Sequence, residues 1–285
     1  MSDLDRRLKE FVDRKGEVER FERFFSDPEK IALAVAGPTG RGKSLLRMKL
    51  VKKCTDDGID YAVLVNTSDN FHDFRAILGC CHQKFGEEKF PRFTAALKTP
   101  VTAPVDVNLH TGNIRVLENA QISGSVGAVT GLILNNPQFN VSGLPTVTPM
   151  ELRRKLTSEF LADLQSATVA APLVVFLDAA EKLMPETLSW LWQTFVPALG
   201  EHEIRCVKIV FLSQIPPDAN SDVDIYIERT ELPPLDVPDI EEYLELKGCN
   251  KVLAPLMKQF TNGEPLAVVQ QTELYKRGQS GQASP

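Results

Sequence analysis

Runs of consecutive apolar residues alternate along the chain with stretches in which apolar residues recur at helical spacing. A short apolar run is typical of a strand in a parallel sheet, because helices cover both faces of such a sheet. On this basis strands are predicted at residues 31–36, 61–65, 172–178, 207–214 and 224–227. The alternation predicts an α/β fold with a parallel sheet between two helical layers.

Helices are predicted where apolar side chains recur every three or four residues. Thr148 and Glu151 have the spacing of a capping box, and Pro149 stands at the first helical position between them. The predicted helices cover residues 3–26, 45–56, 71–85, 148–166 and 185–195, and the pattern from residue 236 onward is helical with a break at 263–266.

One segment departs from this pattern. Between about residues 100 and 143 charge almost disappears, and short alternating runs are separated by turn signals. Two interpretations stay open for residues 97–147. They are a β-rich insertion whose strand edges offer a self-association surface, or a partly ordered loop.

The first predicted strand leads directly into residues 37–44, GPTGRGKS, which match G-x-x-x-x-G-K-[ST] at every fixed position. The glycines let backbone N–H groups converge on phosphate oxygens, and the following helix adds the positive end of its dipole. Lys43 is expected to reach the β- and γ-phosphates, and Ser44 to hold Mg²⁺. The nucleotide-binding residues predicted here are Gly37, Pro38, Thr39, Gly40, Arg41, Gly42, Lys43, Ser44 and Leu45.

Carboxylates at the end of a later strand supply candidates for the rest of the site. Asp178 directly follows four apolar residues, so it is expected at the carboxyl edge of the sheet as a second Mg²⁺ ligand. Glu181 is a candidate to polarise the attacking water, or else an ordinary residue at a helix start. Ser213 and Gln214 end the next strand, and they either sense the γ-phosphate or form a simple turn. The predicted catalytic residues are Lys43, Asp178 and Glu181.

Composition narrows the functional classes. The 285 residues carry a net charge of −6, and their basic residues are interleaved with acidic ones, which argues against a dominant nucleic-acid surface. No apolar run approaches the length of a membrane span, and the charged N-terminus does not resemble a secretory signal, so a cytoplasmic location is expected. The five cysteines match no zinc spacing and are expected to be reduced thiols.

Together these motifs resemble the STAND branch of P-loop ATPases, the relatives of AAA ATPases that include NB-ARC and NACHT proteins. The resemblance rests on the phosphate loop and on segments similar to family motifs at residues 11–17, 177–183, 190–191, 196–199 and 263–267. It implies that Arg14 lies in a motif beside the adenine and that Pro265 contacts the nucleotide from a helical lid. Asp13 stands where the family usually has glycine.

The resemblance implies a three-layer P-loop core over residues 1–96 and 148–231 and a lid at 232–276. The residue pattern adds the insertion at 97–147 and predicts a disordered tail at 277–285. The resemblance further implies a switch that binds Mg-ATP, hydrolyses it slowly and controls conformation or oligomerisation, with bacterial relatives in signalling, conflict or defence. A protein partner or self-association through the insertion is expected. The alternatives are a non-hydrolysing module that recruits a partner and an origin-recognition-type AAA ATPase that acts on DNA. The choice between ATP and GTP stays open at this point, although no guanine-reading N-K-x-D motif is present.

Overall fold

A five-stranded parallel sheet forms the centre of the chain in a computed structural model that describes residues 14–67, 72–98, 148–167, 172–217 and 222–279. The order across the sheet is β2-β3-β4-β1-β5. All four neighbouring pairs are parallel, as the alternation of strands and helices predicts. The strands are β1 (Ala32–Ala36), β2 (Tyr61–Val65), β3 (Leu173–Asp178), β4 (Val207–Ser213) and β5 (Ile227–Glu231).

Helices connect and follow these strands. Their bounds in chain order are α1 (Lys15–Ser26), α2 (Lys43–Asp56), α3 (Phe74–Phe85), α4 (Pro91–Leu97), α5 (Pro149–Ser166), α6 (Pro185–Trp190), α7 (Val196–Glu201), α8 (Val237–Leu246), α9 (Ala254–Thr261) and α10 (Pro265–Gln279). A π-helical turn, Leu191–Phe195, joins α6 to α7.

Burial in the sheet follows strand position. Every residue of β1, β3 and β4 is buried, whereas the edge strands β2 and β5 are partly exposed. On one face Phe21 and Phe24 of α1 pack with Leu46 and Leu50 of α2 over the strands. On the other face Trp192 of the π-helical turn meets Phe211 of β4, with ring centroids 5.0 Å apart. These contacts give the three predicted layers.

Three local predictions are corrected. The run at residues 224–227 was predicted as a strand, but Asp224–Tyr226 is a 3₁₀ turn and the strand lies at Ile227–Glu231. Because β5 lies at the edge of the sheet, only some of its side chains are buried. Its sequence therefore lacks the continuous apolar run by which the other strands were predicted. The helix predicted to end near residue 195 continues through the π-helical turn to Glu201.

The third correction concerns the tail predicted to be disordered from residue 277, because α10 continues to Gln279. Lys276 and Arg277 lie in its last turn, where positive charge suits the helix dipole. Gln279 also donates a hydrogen bond to the Tyr275 hydroxyl at 2.5 Å.

The predicted lid forms a helical subdomain of α8, α9 and α10 with its own small apolar core. Asp236 caps α8 through a capping box with Asp239. Asn262 and Gly263 have positive φ angles of 51° and 72° between α9 and α10, so the predicted break is a turn of left-handed residues.

The described residues between 85 and 167 form one unit, and the described residues of the rest of the chain form another. Within that smaller unit, the ring of Phe160 in α5 lies 5.0 Å from Phe90 and 5.2 Å from Phe93. The capping box predicted at Thr148 and Glu151 is present at the start of α5. The β-rich insertion predicted at 97–147 lies almost wholly outside the described residues, and its boundaries, like those of the other predicted domains, stay predictions.

Candidate nucleotide-binding site

The phosphate loop, residues 37–44, joins the carboxyl end of β1 to the first turn of α2. Gly40 and Gly42 both have φ of 90°, a left-handed conformation that favours glycine. Gly42 is the N-cap of α2, so the helix begins at Lys43. The strand, loop and helix therefore follow one another as the motif predicts, with the amino end of α2 at the loop.

Lys43 turns its side chain back onto the loop. Its Nζ donates hydrogen bonds to the carbonyl oxygens of Gly37 and Pro38, the second at 3.0 Å. Burial lowers the pKa of Lys43, and the negative charges of Glu181 and Asp178 oppose this by raising it. Both predicted carboxylates thus favour the charged form of Lys43, although they are more than 130 residues from it in the sequence.

Asp178 is the last residue of β3, and its side chain is only 6% exposed. One carboxylate oxygen accepts a hydrogen bond from the Ala179 N–H at 2.9 Å. The other lies 3.2 Å from Nε of Arg47, in the second turn of α2. Since β4 separates β3 from β1, Asp178 contacts α2, the helix that follows the loop, across an intervening strand.

Glu181 lies just beyond β3 in a 3₁₀ turn, Ala180–Lys182. Its two carboxylate oxygens accept hydrogen bonds from Gln214, one from the side-chain Nε2 at 3.0 Å and one from the backbone N–H at 3.1 Å. Ser213 instead is buried and donates its hydroxyl to the carbonyl of Ile215. Of the two polar residues predicted after β4, Gln214 is therefore the one that bonds to the candidate catalytic carboxylate.

The lid contacts the phosphate loop directly. Arg41 Nε donates to Glu264 Oε2 at 2.8 Å, and Arg41 Nη2 lies 2.7 Å from Glu264 Oε1. The Leu266 N–H in the first turn of α10 donates to the Gly40 carbonyl at 3.3 Å. Pro265 begins that helix, so the sequence-predicted lid proline lies next to residues that bond to the loop.

Arg14 joins the N-terminal segment to the same place. Its guanidinium donates to the carbonyl oxygens of Pro233 at 3.0 Å and Arg41 at 3.1 Å, and it pairs with Glu17 at 3.2 Å. The side chain is 4% exposed. The rest of the predicted N-terminal motif, residues 11–13, lies outside the described residues.

The predicted site residues thus fall into two sets. In one set, Arg14 bonds to Arg41 of the loop, Asp178 pairs with Arg47 of α2, and Glu181 bonds to Gln214 after β4, so each has a partner from another part of the chain. Pro38, Thr39 and Ser44 are exposed and Leu45 is half-buried. Arg41 was predicted to bind nucleotide as part of the loop, and its side chain pairs with the lid.

Arg47 is not among the site residues predicted from the sequence, although its position relative to Lys43 is a usable signal. It lies four residues after Lys43, which places both side chains on one face of α2. A basic residue on the face that also carries the phosphate-loop lysine is a candidate partner for a nearby carboxylate.

The donor set suits magnesium. A serine hydroxyl at residue 44 and a carboxylate at residue 178 are the hard oxygen donors that Mg²⁺ prefers, and one or two protein ligands suffice beside substrate phosphates. Across the described ranges no three His, Cys, Asp or Glu residues group as a metal site. Nor does any helix within those ranges have the length and apolarity to cross a membrane.

Comparisons with known proteins add little. No protein-family model matches the sequence, and a search of curated proteins finds no match. The fold is similar to a crystal structure of Cdc6p from Pyrobaculum aerophilum, with a TM-score of 0.45 and 14% identity over 95% of this chain. This chain spans 65% of the length of that protein. A likeness this weak identifies neither a family nor an activity.

Proposed function

We propose that this chain binds Mg-ATP at residues 37–44 and hydrolyses it slowly, as a switch that changes how the lid lies on the core. The observation that carries the proposal is that groups from two distant parts of the chain contact the phosphate loop and the helix it leads into. Asp178 pairs with Arg47 of α2, the helix that begins at Lys43, while Glu264 and Leu266 of the lid bond to Arg41 and Gly40.

The residues have distinct roles in this proposal. Backbone N–H groups of the loop and the amino end of α2 hold the phosphates, and Lys43 gives up its loop carbonyls to neutralise the β- and γ-phosphates. Ser44 and Asp178 hold magnesium, which supplies further neutralisation of phosphate charge. Glu181 accepts a proton from the attacking water at a carboxylate oxygen.

The contacts between the lid and the phosphate loop are the reason for proposing a switch. Lys43 bonds to carbonyls at residues 37 and 38, so its movement toward a phosphate changes the contacts that shape the loop. Arg41 and Gly40 of the same loop bond to the lid. A ligand that favours one loop conformation therefore also favours one lid arrangement. The resemblance to STAND ATPases supports this interpretation.

Two variants test the proposal. Lys43→Ala is expected to weaken binding of ATP in magnesium by at least about tenfold, because a charge-assisted contact to phosphate is lost. Lys52→Ala, on an exposed part of the same helix, is the matched control and should bind as the wild type does. Glu181→Gln should retain binding and lose hydrolysis by about a hundredfold. Wild-type protein that binds no nucleotide in magnesium would refute the proposal.

One observation favours a second candidate, a nucleotide-bound module that does not hydrolyse ATP. Both carboxylate oxygens of Glu181 accept hydrogen bonds from Gln214, so an attacking water has to compete with Gln214 for them. If wild type and Glu181→Gln bind ATP equally and neither releases phosphate above background, this module replaces the switch ATPase.

A further inference from the structure

The guanidinium of Arg47 lies against the predicted magnesium carboxylate. Its Nε is 3.2 Å from Oδ2 of Asp178, and the two side chains are 19% and 6% exposed. That Nε is buried yet makes no hydrogen bond of good direction, although it is within ion-pair distance of the carboxylate. The contact is therefore held by charge more than by a well-aligned hydrogen bond.

A buried carboxylate needs a compensating group, because desolvation of an isolated charge is costly. For Asp178 the described compensation is Arg47 together with the Ala179 N–H. Lys43 also acts on Asp178 through its charge, but its amine is hydrogen-bonded to the loop carbonyls. Arg47 is thus the cation in direct contact with Asp178.

Two cations on one carboxylate repel each other, and the repulsion is large where water is partly excluded. We propose that Arg47 is a positioning residue that competes with magnesium for Asp178 and so sets the magnesium concentration at which the nucleotide site fills. This inference rests on the proposed binding of Mg-ATP and adds a residue that governs its magnesium dependence.

The test measures binding of a fluorescent, non-hydrolysable ATP analogue while magnesium is titrated, so activity is not the readout. Arg47→Met keeps much of the side-chain length and removes the charge. Its half-saturating magnesium concentration is expected to fall by about threefold to tenfold relative to wild type. Arg47→Lys keeps the charge and should stay near the wild-type value.

An unchanged or higher half-saturating magnesium concentration in Arg47→Met overturns the inference. If the Arg47–Asp178 pair were merely structural, its loss would lower stability without strengthening magnesium binding. Thermal unfolding without nucleotide checks that each variant folds, and Arg47→Gln replaces Arg47→Met if that variant does not. Wild-type protein that fails to bind the analogue at any magnesium concentration refutes the proposed function as well. Wild-type binding with no shift in the variants refutes the role of Arg47 alone.

Discussion

Arg41 and Glu264 join the phosphate loop to the lid through two contacts, Nε to Oε2 at 2.8 Å and Nη2 to Oε1 at 2.7 Å. A third bond runs from Arg41 Nη1 to the carbonyl of Leu232 at 3.2 Å, where the chain leaves β5 for the lid. A residue at a variable position of the phosphate-loop motif thus fixes the lid to the loop. Paired, planar contacts of this kind are stronger than single exposed ion pairs.

The Arg41–Glu264 pair should be energetically coupled. A double-mutant cycle with Arg41→Met and Glu264→Gln is expected to give about 1 kcal/mol of coupling in urea unfolding, since the pair is bidentate and partly buried. The pair of Lys52 and Asp56 is the control, because it is a solvent-exposed pair within one helix, with Nζ 2.8 and 2.9 Å from the two carboxylate oxygens, and should give about 0.3–0.5 kcal/mol. Equal coupling in the two cycles would contradict a special role for the lid contact.

Gly263 should be intolerant of any side chain. Its φ is 72°, and a Cβ there would lie 2.0 Å from the carbonyl oxygen of Leu235, so Gly263→Ala must displace backbone. We expect a loss of more than about 2 kcal/mol in the free energy of unfolding. Gly248→Ala is the matched control, because its φ is 68° and a Cβ would meet nothing within 4 Å.

The Gly248 control should lose only about 1 kcal/mol, the cost of placing alanine in a left-handed conformation. Urea unfolding measures both variants. Similar losses of unfolding free energy at the two positions would mean that the backbone of the turn before α10 shifts at little cost to accommodate a Cβ. In that case the contact of Gly263 with Leu235 does not hold the lid in place.

Gln214→Ala should raise ATP turnover if the proposed function is correct. The variant removes the side-chain hydrogen bond to Glu181 Oε1 and so frees that oxygen to accept a hydrogen bond from the attacking water. We expect steady-state phosphate release to increase by about threefold to tenfold with ATP affinity unchanged. Reduced turnover would show instead that Gln214 holds Glu181 or the attacking water in position.

Lys208 should make stability depend on pH. It is buried in β4, donates to the carbonyls of Asp27 and Lys30, and lies 5.2 Å from the ring centroid of Phe24. Burial lowers the pKa of Lys208 from 10.5 to about 8. Between these two values the unfolded chain binds more protons than the folded chain, so this group adds stability as the pH rises from 8 toward 10.5.

The comparison that isolates this effect is wild type against Lys208→Met. Lys208→Met leaves the partly buried carbonyls of Asp27 and Lys30 without this donor and should cost about 1–3 kcal/mol at pH 7. The difference in unfolding free energy between the two proteins should widen from pH 8 to pH 10. A constant difference over that interval would show that the pKa of Lys208 is not lowered.

The local sequence by itself determined the strand, loop and helix around residues 37–44, because glycine placement and an apolar run act over neighbouring residues. It also determined the capping box at Thr148 and the turn at Gly263, where the signals lie within four residues of each other. These features were confirmed with nearly the predicted bounds.

Only the tertiary structure decided the sheet order, the position of β5 and the ion pairs that join Arg41 to Glu264 and Arg47 to Asp178. Each of these depends on residues that are far apart in the chain, and their partners are selected by how the layers pack. Local patterns of apolar and polar residues specify which segments form strands and helices. They do not specify which charged side chains the assembled layers place in contact.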